Sequence, residues 1–132
     1  MSTHRPRKRF GQNFLTDPNI VQRLVDLIHP LDGDNILEIG PGRGAMTLPL
    51  LQQCKRMTAI ELDRDLIEPL FEMAATKGEL SVHQGDILDV DLTRFGSVDS
   101  PLRIVGNLPY NISTPILFHL SEYSALTRDI HI

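Results

Sequence analysis

Apolar residues recur along the chain in two alternating patterns. Ile20, Val21, Leu24, Val25, Leu27 and Ile28 share one face at helical spacing. Asp17 and Pro18 supply an N-cap and a first-turn proline, and Pro30 stops the run, so a helix is predicted over 18–29. After a turn at 31–34, Asn35 to Ile39 has the short apolar run of a buried strand. Gly40-Pro41-Gly42-Arg43-Gly44 then opens a second helix to about Gln53, in which Pro49 predicts a kink or a short first turn. Met57 to Leu62 is the next strand. A helix from Asp63 or Arg64 reaches about Thr76, with Pro69 inside it and Lys77-Gly78 ending it. Leu80 to His83 is a third strand, residues 88–101 are a polar loop with a helical turn at Leu92 to Phe95, and Leu102 to Val105 is a fourth strand. Ser113 or Thr114 caps a last helix that starts at Pro115 and ends near Tyr123. Strands alternating with helices are βαβ units, which build a parallel sheet with right-handed crossovers.

Ligands of such sheets bind beyond the carboxyl ends of the strands. Gly40 to Gly44, Glu61, Asp86 and Asn107 all fall at that edge. The fourth strand runs into Asn107-Leu108-Pro109-Tyr110, which combines an amide oxygen, a backbone carbonyl, a stiff bend and an aromatic ring. Two acceptors beside a flat ring suit a planar heterocycle with an exocyclic amino group. The plainer alternative is a turn, with Pro109 ending the strand and Tyr110 packing inward. The coincidence of the other candidates at the same edge favours a site.

The glycines are spaced G-x-G-x-G, with the third one place early for a dinucleotide turn. Glu38 puts a carboxylate where a pyrophosphate would sit. That suits a cation, such as the amino end or sulfonium of S-adenosylmethionine. Glu61, about twenty residues on, occupies the position of an acid that grips both ribose hydroxyls. Asp86 can accept from an adenine amino group while the Ile87 N–H meets a ring nitrogen. Singly, each acid is also a plausible helix cap or surface charge; together they favour a nucleoside cofactor without pyrophosphate over a nicotinamide.

Length and composition change this picture little. The chain has 132 residues, enough for one domain with a real core, and its 41% hydrophobic and 23% charged content is ordinary. It lacks a span-length apolar run and a secretory signal, and Cys54 has no partner for an internal disulfide, which together point to the cytoplasm. Cys54 itself reads as a small core residue on a helix. Charge is uneven: Arg5, Arg7, Lys8 and Arg9 give the first ten residues +4, so the rest sums to −8 within a net −4. Such an arm suits contact with phosphate, or else is a solvated tail. Residues 10–16 read as an ordered loop folded against the body.

With these residues in view, the chain resembles the ribosomal RNA adenine N6-dimethyltransferase family, most closely its bacterial small-subunit branch. Relatives in that family include the erythromycin-resistance methyltransferases and the mitochondrial transcription-factor-like proteins. The matching stretches are 7–15 (Arg-Lys-Arg-Phe-Gly-Gln-Asn-Phe-Leu), 37–44 (Leu-Glu-Ile-Gly-Pro-Gly-Arg-Gly), 60–63 (Ile-Glu-Leu-Asp), 84–86 (Gln-Gly-Asp) and 105–115 (Val-Gly-Asn-Leu-Pro-Tyr-Asn-Ile-Ser-Thr-Pro). The first and last are specific to the family, whereas the glycine loop is shared by many methyltransferases.

The resemblance implies a Rossmann-like class I methyltransferase fold, with residues 1–16 a basic arm and cofactor-closing loop and 17–132 the S-adenosylmethionine-binding domain. By this likeness Asn13 and Leu15 close the cofactor pocket and Gly40 lies against the methionine part, with Glu38 and Gly42 as further cofactor-binding residues. Glu61 with Leu62 holds the ribose, Asp86 with Ile87 the adenine, and Asn107 sits where cofactor meets target. Asn107, Leu108, Pro109 and Tyr110 would be the catalytic set, and Arg5, Arg7, Lys8 and Arg9 RNA contacts. The implied activity is dimethylation of N6 on two adjacent adenosines in the 3′-terminal hairpin of 16S ribosomal RNA, without metal or membrane, by a protein monomeric at full length. That two methyls are added comes from the family alone. Family members are longer, with further strands and a helical RNA-binding C-terminal domain. The chain is therefore expected to be a piece that stops before the last strands, leaving a long apolar sheet edge and no assurance of activity by itself. The alternative from another class is a non-catalytic ribosome-assembly or RNA-binding factor on the same fold. An intact tetrad together with Glu61 and Asp86 favours the enzyme.

Overall fold

Side chains alternate across β1 (Asn35–Ile39): Ile36 enters one apolar cluster, while Leu37 and Ile39 enter another on the opposite face. That alternation, repeated along the other strands, is what lets helices cover both faces of one sheet. The computed structural model describes residues 17–132. The remaining elements are α1 (Pro18–Ile28), α2 (Thr47–Cys54), β2 (Arg56–Glu61), α3 (Arg64–Ala74), β3 (Glu79–Gln84), β4 (Leu102–Gly106), α4 (Tyr110–Ser121) and β5 (Thr127–His131). Short 3-10 turns lie at Ile87–Asp89, Leu92–Arg94 and Ser124–Leu126.

The five strands are parallel in the order β3-β2-β1-β4-β5. Helices α1, α2 and α3 pack on one face with Ile36, Met57, Ala59 and Val105. Helix α4 covers the other face, with Ile116 and Leu120 against Leu102 and Ile104. The chain winds outward from β1 through β2 and β3, then returns to β4 beside β1 and winds the other way. A crevice therefore opens above the carboxyl ends of β1 and β4, as a doubly wound sheet requires.

The N-cap is as expected: Asp17 accepts from the Asn19 amide at 2.9 Å. Three expectations change. Leu27 is on the solvent side of α1, 74% exposed, because the buried stripe is the narrower Val21-Val25-Ile28 row. Helix α2 starts at Thr47, after a turn through Gly44 to Met46. Pro49 is thus its third residue, within the first turn, where the fixed φ of a proline suits the helix. Helix α4 begins at Tyr110, not Pro115, because the Pro109 carbonyl already accepts from Ile112 and Ser113. Pro115 and, in α3, Pro69 then lie inside helices on exposed faces, where water reaches the carbonyls they leave unbonded. The long apolar sheet edge that was expected is also corrected. Thr127–His131 pairs with β4 as β5, and the outer strand carries Arg128, Asp129 and His131.

One charged side chain fastens the amino-end edge of this sheet. Arg103, 4% exposed in the middle of an apolar strand, donates to Asp129 at 3.0 Å and to Asp34 at 2.8 Å. It also donates to the His29 carbonyl at 3.1 Å and to the Ile28 carbonyl, closing the end of α1.

Candidate functional site

The crevice above the strand ends is a cleft of about 360 Å³. Four of the five strands deliver a residue to its lining: Gly40 after β1, Glu61 at the end of β2, Gly85 and Asp86 after β3, and Leu108 and Pro109 after β4. Leu62 and Ile87 line it too, as do Asn111, Ile112 and Ile116 of α4. These α4 residues were not anticipated, because the helix was expected to start beyond the first two of them.

The glycine loop reaches the cleft because its backbone turns left-handed. Gly40 lies at φ 66°, its N–H bonded to the Ile60 carbonyl at 2.9 Å, and a Cβ there would come 3.6 Å from a Leu108 methyl. Bare backbone therefore meets the loop after β4 at the cleft floor. Gly44, at φ 89°, serves packing: a Cβ there would strike Leu70 of α3 at 2.7 Å. The early third glycine is thus explained by helix packing, not by phosphate approach.

Glu61 is 4% exposed and binds its own chain first. Oε1 accepts from the Gly42 amide at 2.9 Å and Oε2 from the Asp63 amide at 2.8 Å. The carboxylate thus clamps the glycine loop to the end of β2, and each oxygen keeps a lone pair for a further donor. Gln84 ties the next strand end in place by donating to the Leu62 carbonyl at 3.2 Å. Asp86 is exposed and caps the turn that follows, its Oδ1 accepting from the Leu88 amide at 3.0 Å. Ile87 puts its side chain in the core.

Glu38 is placed differently. It is 3% exposed, on the α2 face of the sheet, and is not among the residues lining the cleft. Its Oε1 accepts from the Thr47 hydroxyl at 2.5 Å. Burial pushes its carboxyl up to about 7, the Thr47 hydroxyl pulling down against it and the nearby Glu61 charge adding to the rise. Among the described residues no lysine or arginine pairs with Glu38, Glu61 or Asp86. A pair of buried acids that no cation meets among the described residues suits a ligand that brings positive charge and disfavours a pyrophosphate.

Asn107 is half-buried and Pro109 buried at the mouth of the fourth strand, and Tyr110 opens α4. The Tyr110 side chain, Asn13, Leu15 and the basic Arg5, Arg7, Lys8 and Arg9 lie outside the described residues. Sequence reading missed Thr47, whose only signal was a hydroxyl placed just past the glycine loop. Among the described residues no helix is long and apolar enough to cross a membrane.

Comparison with known proteins bears on this cleft. The family model for ribosomal RNA adenine dimethylase matches residues 3–132. The chain is 54% identical over 130 residues to the ribosomal RNA small subunit methyltransferase A of Aromatoleum aromaticum, which covers 98% of this chain and 48% of that protein. The protein of the same name from Thiobacillus denitrificans is 55% identical over 128 residues, covering 97% and 49%. The chain thus spans about half the length of the curated relatives it matches. A solved dimethyladenosine transferase from Plasmodium falciparum superposes with a TM-score of 0.71 at 27% identity, over 85% of this chain and 39% of that one. The architecture is the Rossmann-like one of class I methyltransferases. With a match running over nearly its whole length, the chain belongs to the ribosomal RNA adenine dimethylase family.

Proposed function

We propose that this chain is the S-adenosylmethionine-binding part of a cytoplasmic enzyme that dimethylates N6 of two adjacent adenosines in the 3′-terminal hairpin of 16S ribosomal RNA, during small-subunit biogenesis. The observation that carries this is the convergence of Gly40, Glu61, Asp86 and the loop after β4 on one cleft, behind which sits the buried acid Glu38, paired with no cation among the described residues. The family membership supports adenine in ribosomal RNA as the target; the relatives' name supports the small subunit.

The residues fit the cofactor. Bare backbone at Gly40 admits close approach, and Glu61 has lone pairs left for ribose hydroxyls while it holds the loop. Asp86 as acceptor and the Ile87 N–H as donor would hold the adenine. Bound S-adenosylmethionine supplies a methyl group activated on a sulfonium. The chain's own task is then positioning. Adenine N6 is a weak nucleophile because its lone pair is delocalised into the ring. Acceptance of its two N–H bonds by the Asn107 side-chain oxygen and the Leu108 carbonyl favours a pyramidal nitrogen with its lone pair aimed at the methyl. Pro109 stiffens this loop, and Tyr110 is kept for stacking on the base from its residue type and its place in the chain. No strong base is required, since N6 becomes acidic only after transfer. Residues 1–16 are assigned as the arm that closes over cofactor through Asn13 and Leu15 and meets RNA through Arg5, Arg7, Lys8 and Arg9. The remainder, 17–132, is the cofactor domain of a longer protein.

Calorimetry with S-adenosylmethionine and a methyl-transfer assay on small-subunit RNA test this together. Asn107→Ala is expected to abolish transfer in the full-length enzyme while changing cofactor affinity by less than about tenfold, a difference of ~1.4 kcal/mol. Wild-type turnover by that variant rules out the role given to Asn107. A protein that binds RNA but no cofactor is an assembly factor instead.

A further inference from the structure

We propose that Thr47 is a positioning residue of the cofactor site: its hydroxyl holds the buried Glu38 carboxylate as an anion at the root of the glycine loop and so favours a sulfonium cofactor over its neutral thioether product. This rests on the cofactor assigned above. Thr47 is fully buried at the first residue of α2, and Glu38 is at the end of β1, so their hydrogen bond spans the base of the loop that contains Gly40 and Gly42. The Glu61 clamp on the Gly42 amide holds the same loop from the β2 side. A valine would fill the volume of Thr47 equally well, so what the hydroxyl adds is a donor for a carboxylate that has none other among the described residues.

Among the described residues, the surroundings offer that carboxyl no other donor and no cation. Helix α2 carries no charged residue. On β4, Arg103 is bound at the opposite end of the sheet by Asp34, Asp129 and two α1 carbonyls. Arg43 in the loop is exposed, and β2 contributes only the like charge of Glu61. Burial and Glu61 both favour the neutral acid, and Thr47 opposes them. The hydrogen bond from Thr47 is thus the one contact among the described residues that favours the ionised form of Glu38. An anion in a poorly solvated interior acts on a charge in the adjoining cleft far more strongly than it would through water. Methyl transfer removes that charge from the cofactor, so an ionised Glu38 distinguishes cofactor from product.

The test compares wild-type full chain with Thr47→Val and Thr47→Ser. The Glu38 carboxyl is titrated by carbon NMR, and affinities for S-adenosylmethionine and S-adenosylhomocysteine are measured by calorimetry across pH. Thr47→Val is expected to raise the Glu38 titration by about one pH unit. It should also lower the preference for the sulfonium form by roughly threefold to tenfold near neutrality, with recovery in alkaline buffer. Thr47→Ser should retain both wild-type values. Equal losses for both ligands with an unmoved titration would mean that Thr47 only packs, and the inference is overturned. If Thr47→Val does not fold, Thr47→Ala is read by the same two measurements. A wild-type chain that binds neither ligand overturns the cofactor assignment itself, whereas wild-type binding with an unmoved preference in the variant overturns this inference alone.

Discussion

The two edges of the sheet bury charge in opposite ways. At the amino end, Arg103 meets two carboxylates and two helix-end carbonyls, so each of its donor groups has a partner. At the carboxyl end, Glu38 and Glu61 are as deeply buried, and among the described residues they receive a hydroxyl and backbone amides but no cation. Burying an ion is costly unless it is neutralised, so the first arrangement is what stability alone would select. The second leaves a negative region waiting for an outside cation. A buried acid that meets no counterion among the described residues, at the edge where such sheets bind ligands, identifies function more sharply than a buried charge that is paired.

Removing Arg103 is the largest way to break the comparison. Arg103→Met leaves Asp34 and Asp129 facing each other's charge and strips the end of α1 of its donor. We expect a loss of about 3–5 kcal/mol in chemical denaturation, the usual cost of deleting one partner of a buried pair. Cofactor affinity of the molecules that remain folded should stay as in wild type. A loss below about 1 kcal/mol would show that the network is decorative.

Glu38→Gln sharpens the other side. Burial raises the Glu38 carboxyl from its ordinary 4.5 to about 7, so between those values the folded chain holds a proton that the unfolded chain has released. Stability therefore falls as pH rises through that window, by about 3 kcal/mol in all if this group acts alone. The amino end has the reverse sign. Against the upward pull of burial, the Leu31 amide and the Arg103 guanidinium hold Asp34 below the usual carboxylate range, and Arg103 and His131 do the same for Asp129. Their contribution is present above the ordinary value of 3.8 and is lost as pH falls through the lowered ones. Wild type should thus be most stable on the mildly acidic side of neutrality. The glutamine variant should lose the decline above it and be the more stable protein in alkaline buffer. An unchanged decline in that variant would assign it to another group.

This division also explains what could be read from the chain. The strand ends were legible because a parallel sheet sends every candidate to one edge by topology, whatever the details of each loop. Strand β1 was recognisable as a five-residue segment with Ile36, Leu37 and Ile39 between turn residues. The start of α4 was not, because Pro115 looks like a first-turn proline and outweighed the Pro109 carbonyl, whose role depends on how the chain bends after β4. Partners were harder still. Arg103 reaches groups about seventy residues earlier in the chain, and Thr47 meets Glu38 across a loop whose shape only the left-handed glycines set. Residue types announce that a buried charge needs a partner, but spacing does not name it.

The smallest expected effect guards the comparison against a rival site. A hollow of about 490 Å³, larger than the cleft, lies at the amino end between Asp32, Lys55, Arg56 and Glu79. Its rim is tied by Arg56 and Glu79 at 2.9 Å, with 78% and 73% of those side chains exposed. Water screens such a pair and competes for both groups, so Arg56→Ala should change stability by no more than about 0.5 kcal/mol. Cofactor affinity should not move at all, because this edge is separated from the cleft by the length of the strands. If Arg56→Ala weakened S-adenosylmethionine binding while leaving thermal stability intact, the ligand would be using the paired edge, and the assignment of chemistry to the unpaired one would fall.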